Sequence, residues 1–122
     1  MDLPQGGFVT YERRLKENAE EVVRVMRAAS RGIQFIKSYR EETVNFMMEW
    51  LNLDRSVAEP VYPILLESLA EFGLPEDSVI QSAVDAAKFQ FRMDKEIPLD
   101  QVRDWSFAKR ARDELIQKGT LR

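Results

Sequence analysis

Along most of this chain apolar residues recur at steps of three and four, the period of an amphipathic helix. Val22, Met26, Ala29, Ile33 and Ile36 trace one such stripe and predict a helix over 12–39, beginning at Glu12 or at Asn18. Asn18 with Glu21 has the spacing of a capping box, with Asn in place of Ser or Thr, and Ser38 with Glu41 repeats the signal. Val44, Met47, Met48 and Leu51, flanked by Phe46 and Trp50, predict a helix over 41–52. Asp54 is a good N-cap for a third helix, over 55–72, with Ala58, Val61, Tyr62, Leu65, Leu69 and Phe72 on its inner face. A proline inside a helix costs about 3 kcal/mol. Pro60 and Pro63 therefore predict a kink, or a helix that starts near Pro60.

Gly73 ends that element, and Pro75 suits the first turn of the next, over 76–92. Val79, Ile80, Ala83, Val84, Ala87 and Phe91 are its core face. A short turn at Ile97, Pro98, Leu99 and Asp100 leads to a last helix over 104–118. Ala108, Ala111 and Leu115 mark its buried side, and Gly119 is its stop.

The helical period fails at the beginning. Residues 3–7 read as a loop broken by Pro4, Gly6 and Gly7. Phe8, Val9, Thr10 and Tyr11 are aromatic or β-branched and predict a short strand over 7–11. A lone strand leaves unpaired backbone groups. A second copy, an absent part of a larger protein, or conversion into a helical lead-in would satisfy them. The expected fold is mainly α: about five helices preceded by one short strand, in a single partial domain spanning 1–122.

The length of 122 residues fits one domain, and 44% hydrophobic with 32% charged residues suits a globular chain. The net charge of −3, with basic residues scattered, gives no reason to expect nucleic acid as a partner. No apolar run approaches the roughly 20 residues of a membrane span, so no membrane insertion is expected. Residues 1–7 lack the basic and apolar regions of a signal peptide.

Chemistry is scarce. There is no cysteine and no histidine, which removes thiolate catalysis, the commonest general base and the commonest metal ligand. Glu20 with Glu21 and Glu41 with Glu42 are adjacent acidic pairs. Helix neighbours diverge by about 100°, so they cannot share a proton; complementing helix N-termini is their simpler role. Gly6 and Gly7 are too short for a phosphate-cradling loop. No catalytic residue, metal site or cofactor is expected, no ligand-binding residue is assigned, and the chain is not expected to be an enzyme. Phe46, Met47, Met48 and Trp50 could form an apolar groove, but their spacing fits an ordinary core stripe. Phe89 and Phe91 diverge by about 200° on one helix, so one is expected to be buried and the other exposed or placed against a neighbour, an exposed one marking an interface.

The order of these segments resembles a known family. Thr10, the lead-in Arg13, Arg14, Leu15, Lys16, Glu17, Asn18, then Val22 to Ala28 and Gly32, Ile33 look like the C-terminal third of substrate-binding proteins of the nitrate/sulfonate/taurine type, thiamine-precursor binders included. Glu41, Glu42, Thr43, Val44 running to Leu53, Asp54 fits the same pattern. So do Gly73, Leu74, Pro75, Glu76 and the late Lys95, Glu96, Ile97, Pro98 with Val102, Arg103, Asp104, Trp105, Ser106, Phe107. Ala19 stands where the family usually has proline, and Trp105 where it more often has leucine.

The resemblance implies a C-terminal portion of a two-lobed periplasmic-binding-protein (type II) α/β fold. Such receptors close like a hinge on a small ligand and deliver it to an ABC importer. By that resemblance this chain supplies a final strand and outer helices of one lobe. The cleft residues lie in a missing N-terminal part, so the fragment alone is not ligand-competent. The implied ligand is a small anion or a pyrimidine-like metabolite, the implied partners are that missing part and an ABC permease, and the implied location is periplasmic or otherwise extracytoplasmic. Uncovered helix faces would drive self-association, with the strands at residues 8–11 pairing across a two-fold axis. The other reading is an independent helical module that binds a protein partner.

Overall fold

The computed structural model describes Pro4 and residues 6–119. It is mainly helical: α1 (Glu12–Glu17), α2 (Ala19–Ser38), α3 (Arg40–Leu51), α4 (Arg55–Ser68), α5 (Asp77–Phe91) and α6 (Ser106–Gln117), with 3-10 turns at Glu71–Gly73 and Leu99–Gln101.

The strand expected over 7–11 is not formed. Residues 6–11 carry no regular structure, and Phe8, Val9 and Tyr11 are exposed, Val9 by 96%. The physical reason is the one that made the strand anomalous: the rest of the described chain is helical and offers no edge to pair with. The loop expected over 3–7 lies partly outside the described residues.

Asn18 interrupts the first predicted helix. Its backbone leaves the helical region (φ −130°, ψ 38°), so α1 and α2 are separate segments. Neither predicted capping box forms. Asn18 makes no side-chain cap bond, and the Glu21 carboxylate accepts from Arg14 instead. The N-cap of α3 is Tyr39 rather than Ser38. There the Thr43 hydroxyl donates to the Tyr39 carbonyl (2.6 Å), and Glu41 is drawn away to Arg55.

Helix α4 starts at Arg55, not near Pro60, and runs through both prolines. Pro60 and Pro63 are exposed, so the carbonyls they leave without a helical donor have water within reach. The helix stops at Ser68, short of the expected 72, because the chain turns beneath α2. Phe72 and Gly73 adopt positive φ there (53° and 74°), and the Phe72 carbonyl accepts from buried Ser30 (3.3 Å). A Cβ on Gly73 would lie 3.1 Å from Ile33 Cδ1, so both conformation and space favour glycine.

Two packing units result. In one, α2 lies along α6. Val23 and Ser30 are buried on α2, and Ala108, Ala111 and Leu115 on α6, the three predicted. Arg27 of α2 and Glu114 of α6 pair across them. In the other, α3 and α4 form a helical hairpin around Val44, Met47, Ala58 and Tyr62, with Ile36, Met48, Leu53, Leu65 and Leu66 packed on its edge. The turn at Glu71–Gly73 touches both α2 and α6, while α5 contacts the turn at Leu99–Gln101.

The stripe of Val22, Met26, Ala29, Ile33 and Ile36 is only half-buried. The residues of α2 that are fully enclosed are Val23 and Ser30, one position round from it.

The molecule is open. Its accessible surface is 9369 Å² at 14.2 kDa. A compact monomer of that mass exposes about 6,800 Å².

Candidate docking surface

Large apolar side chains stand exposed on the outer faces of several helices. On α3 the Met residues and the aromatics separate: Met47 is buried and Met48 half-buried, while Phe46 and Trp50 point outward. Their rings stack at 5.9 Å with Trp50 74% exposed. The four residues therefore do not line one groove. Helix α4 adds Val57, Val61 and Ile64, exposed at steps of four and three. Of the predicted inner face of this helix, Val61 is outside and Ala58 and Tyr62 are enclosed.

At the end of α5, Phe89 and Phe91 are both exposed (89% and 67%). One of the two was expected inside. Phe91 is the last residue of the helix and Arg92 turns into the left-handed region, so no neighbouring element covers either ring. The depression formed by Lys88, Phe89, Gln90, Arg92, Met93 and Asp94 is open to solvent, as is that formed by residues 16–21 with Arg24.

One apolar row was not anticipated. Val25, Ala28, Gly32, Phe35 and Tyr39 follow one another at steps of three and four along α2, and all five are exposed. They lie opposite Val23 and Ser30, so α2 is apolar on two opposite sides. Phe35 and Tyr39 stack at 4.9 Å. The residue spacing carries this row too, but the stripe through Val22 and Ile36 has the same period, so spacing alone does not separate them.

The charged groups act as struts between elements. Hydrogen bonding to Arg55 lowers the pKa of Glu41, and Lys37 does the same for Glu71. Arg103 lowers that of Asp77 through bonds of 3.2 and 2.7 Å, and Arg27 that of Glu114. Arg110, bonded to Glu20 and Glu114, is shifted upward, as is Arg55. Each of these groups is held more firmly in its charged form, which suits an ion-pair strut and not a proton donor near neutrality. Glu20 and Glu41, taken from the sequence as helix-end charges, also tie α2 to α6 and α3 to α4.

Trp105 is half-buried with its indole N–H enclosed and without an acceptor in hydrogen-bonding geometry. The neighbouring Asp77 carboxylate is occupied by Arg103, whose guanidinium also lies 5.9 Å from the Trp105 ring centre. Among the described residues no group of three or more acidic side chains is placed to hold a metal ion. Among the same residues no helix is long and apolar enough to cross a membrane.

Comparison with protein-family models, with curated proteins and with solved structures finds no match to this chain.

Proposed function

We propose that this chain is the C-terminal helical part of a solute-binding receptor for ABC-type import, acting outside the cytoplasm, whose ligand is a small anion or a pyrimidine-like metabolite. In this reading the chain supplies lobe structure, and the ligand contacts belong to a preceding part of the receptor. The supporting observation is the surplus of accessible surface, 9369 Å² against about 6,800 Å² for a compact monomer. Layered α/β folds bury one face of each helix against a sheet. The outer residues of α3 and α4 are what such a layer would cover, and the segment at 6–11 is what would join it. The segment order that resembles the nitrate/sulfonate/taurine receptors adds weight to this choice over other layered folds.

The test is fragment complementation. The purified chain is mixed with a receptor of that type truncated before its C-terminal helices. The expected result is a one-to-one complex that regains a thermal shift with taurine or a thiamine-precursor pyrimidine, while the chain alone shows none. Tight binding of either compound by the chain alone, or no complex, would overturn the reading.

A second reading, a self-sufficient helical module that binds a protein partner, draws support from the core of Val44, Met47, Ala58 and Tyr62, which the chain closes without help. Cooperative unfolding of the chain alone, together with failure of complementation, would favour it.

A further inference from the structure

Two exposed apolar faces of this chain differ in bulk and in the charge beside them. On α2 the row of Val25, Ala28, Gly32, Phe35 and Tyr39 is small at its middle, and nothing lies within 4 Å of a Cβ built on Gly32. Arg24 and Arg31 run beside this row, both exposed and neither with a carboxylate partner among the described residues. On α3 the face is bulky, made by the stacked rings of Phe46 and Trp50. Glu42 and Glu49 run beside it, exposed and likewise without a basic partner among the described residues. Their surroundings are acidic. Residues 40–69 hold six acidic side chains and two basic ones. Of those two, Arg55 is taken up by Glu41 and Glu59, and Arg40 lies over the Tyr62 ring.

The placement of the charges fixes how the two faces can meet. Side chains advance by about 100° per residue around a helix, so Arg24 and Arg31 stand about 70° to one side of the centre of their five-residue row. By the same count Glu42 and Glu49 stand about 70° to the same rotational side of Phe46 and Trp50. On two helices facing each other antiparallel, the same rotational side falls on the same edge of the contact; on parallel helices it falls on opposite edges. Each charged pair spans two turns, about 10.5 Å, so both pairs can be met at once.

We propose that α2 of one copy docks antiparallel on the Phe46 and Trp50 face of α3 in a second copy. Arg24 then meets the partner's Glu49 and Arg31 the partner's Glu42. The partner's Phe46 comes level with Ala28, where the α2 row is small. Like faces fit worse. Two antiparallel α2 rows set Arg beside Arg, and two antiparallel α3 faces set Glu beside Glu and ring against ring. Opposite charge and opposite bulk therefore select the same unlike pairing, and both halves of it are on this chain. The contact is heterologous, joining different faces of two copies. It belongs to the chain by itself and does not rest on the receptor reading, so failed complementation leaves it intact.

Charge reversal with rescue tests it. One variant carries Arg24→Glu and Arg31→Glu, the other Glu42→Arg and Glu49→Arg. The parent chain at micromolar concentration should scatter light with a mass above that of one chain, and its association should weaken several-fold as salt screens the paired charges. Each variant alone should be monomeric with unchanged circular dichroism, and an equimolar mixture of the two should regain the parent's mass. Where a double variant loses its helical signal, the single reversals Arg31→Glu and Glu42→Arg take its place. A monomeric parent would overturn the proposal. So would a variant that associates as the parent does, a mixture that stays monomeric, or association that strengthens with salt.

Discussion

The Tyr62 hydroxyl donates a 2.7 Å hydrogen bond to the backbone carbonyl of Ile36. Ile36 lies in the last turn of α2, where carbonyls lose their helical donors. Tyr62 is 26 residues further on and buried in α4, so the α3–α4 hairpin closes the end of α2. Removing the hydroxyl by Tyr62→Phe leaves that carbonyl unmet and should destabilise by about 1–2 kcal/mol. Tyr62→Ala also empties the hairpin core and should cost about 3–5 kcal/mol. Urea denaturation of the two variants checks both the order and the size.

Acid should loosen the contact between α2 and α6. Hydrogen bonding to Arg27, then to Arg110, lowers the pKa of Glu114 in the folded chain. A carboxylate with a depressed native pKa stabilises the fold above its unfolded value, and that gain disappears as pH falls through the native value. Midpoint measurements from neutral pH downward should show the loss in the acid range. Glu114→Gln should lower stability at neutral pH and flatten that part of the profile.

Gly73→Ala should destabilise by about 1–2 kcal/mol, since φ is +74° and the new Cβ would meet Ile33 Cδ1 at 3.1 Å. Gly32→Ala is the contrast. Gly32 is exposed within α2 with open space at its Cβ, and alanine there should stabilise by about 0.5–1 kcal/mol. Thermal melts of the two variants, run on equal footing, should move in opposite directions.

Pro63→Ala restores a donor for the Glu59 carbonyl inside a continuous helix. The gain, up to about 3 kcal/mol from the helix, is reduced by the freer unfolded chain, so a net stabilisation of about 1–2 kcal/mol is expected. A lower melting temperature would mean that the proline is needed where it stands.

How much was legible varied with how local the cause was. The ends of α3, α5 and α6 fall close to their predicted places, because turn residues and the helical period act within a few positions. The buried side of α6, Ala108, Ala111 and Leu115, followed from spacing alone. The inner side of α2 did not. Its apolar residues occupy most of the circumference, so periodicity cannot say which side meets α6; the contacts with α6 and with Phe72 decide that. The fate of Phe89 and Phe91 was equally out of reach, since burial depends on whether a distant element arrives to cover them.

By itself the sequence determined that this chain is mainly helical from Glu12 onward and where most helices begin and end; the strand it predicts over 7–11 does not form. Helix formation and chain breaks are settled by neighbours in sequence, through hydrogen bonds and backbone freedom a few residues apart. Only the tertiary structure decided which of two apolar faces on α2 is enclosed, that Glu20 and Glu41 brace one element to another, and that the outer faces of α2, α3 and α4 stay open. Those outcomes depend on groups brought together across tens of residues, where no local pattern carries the information.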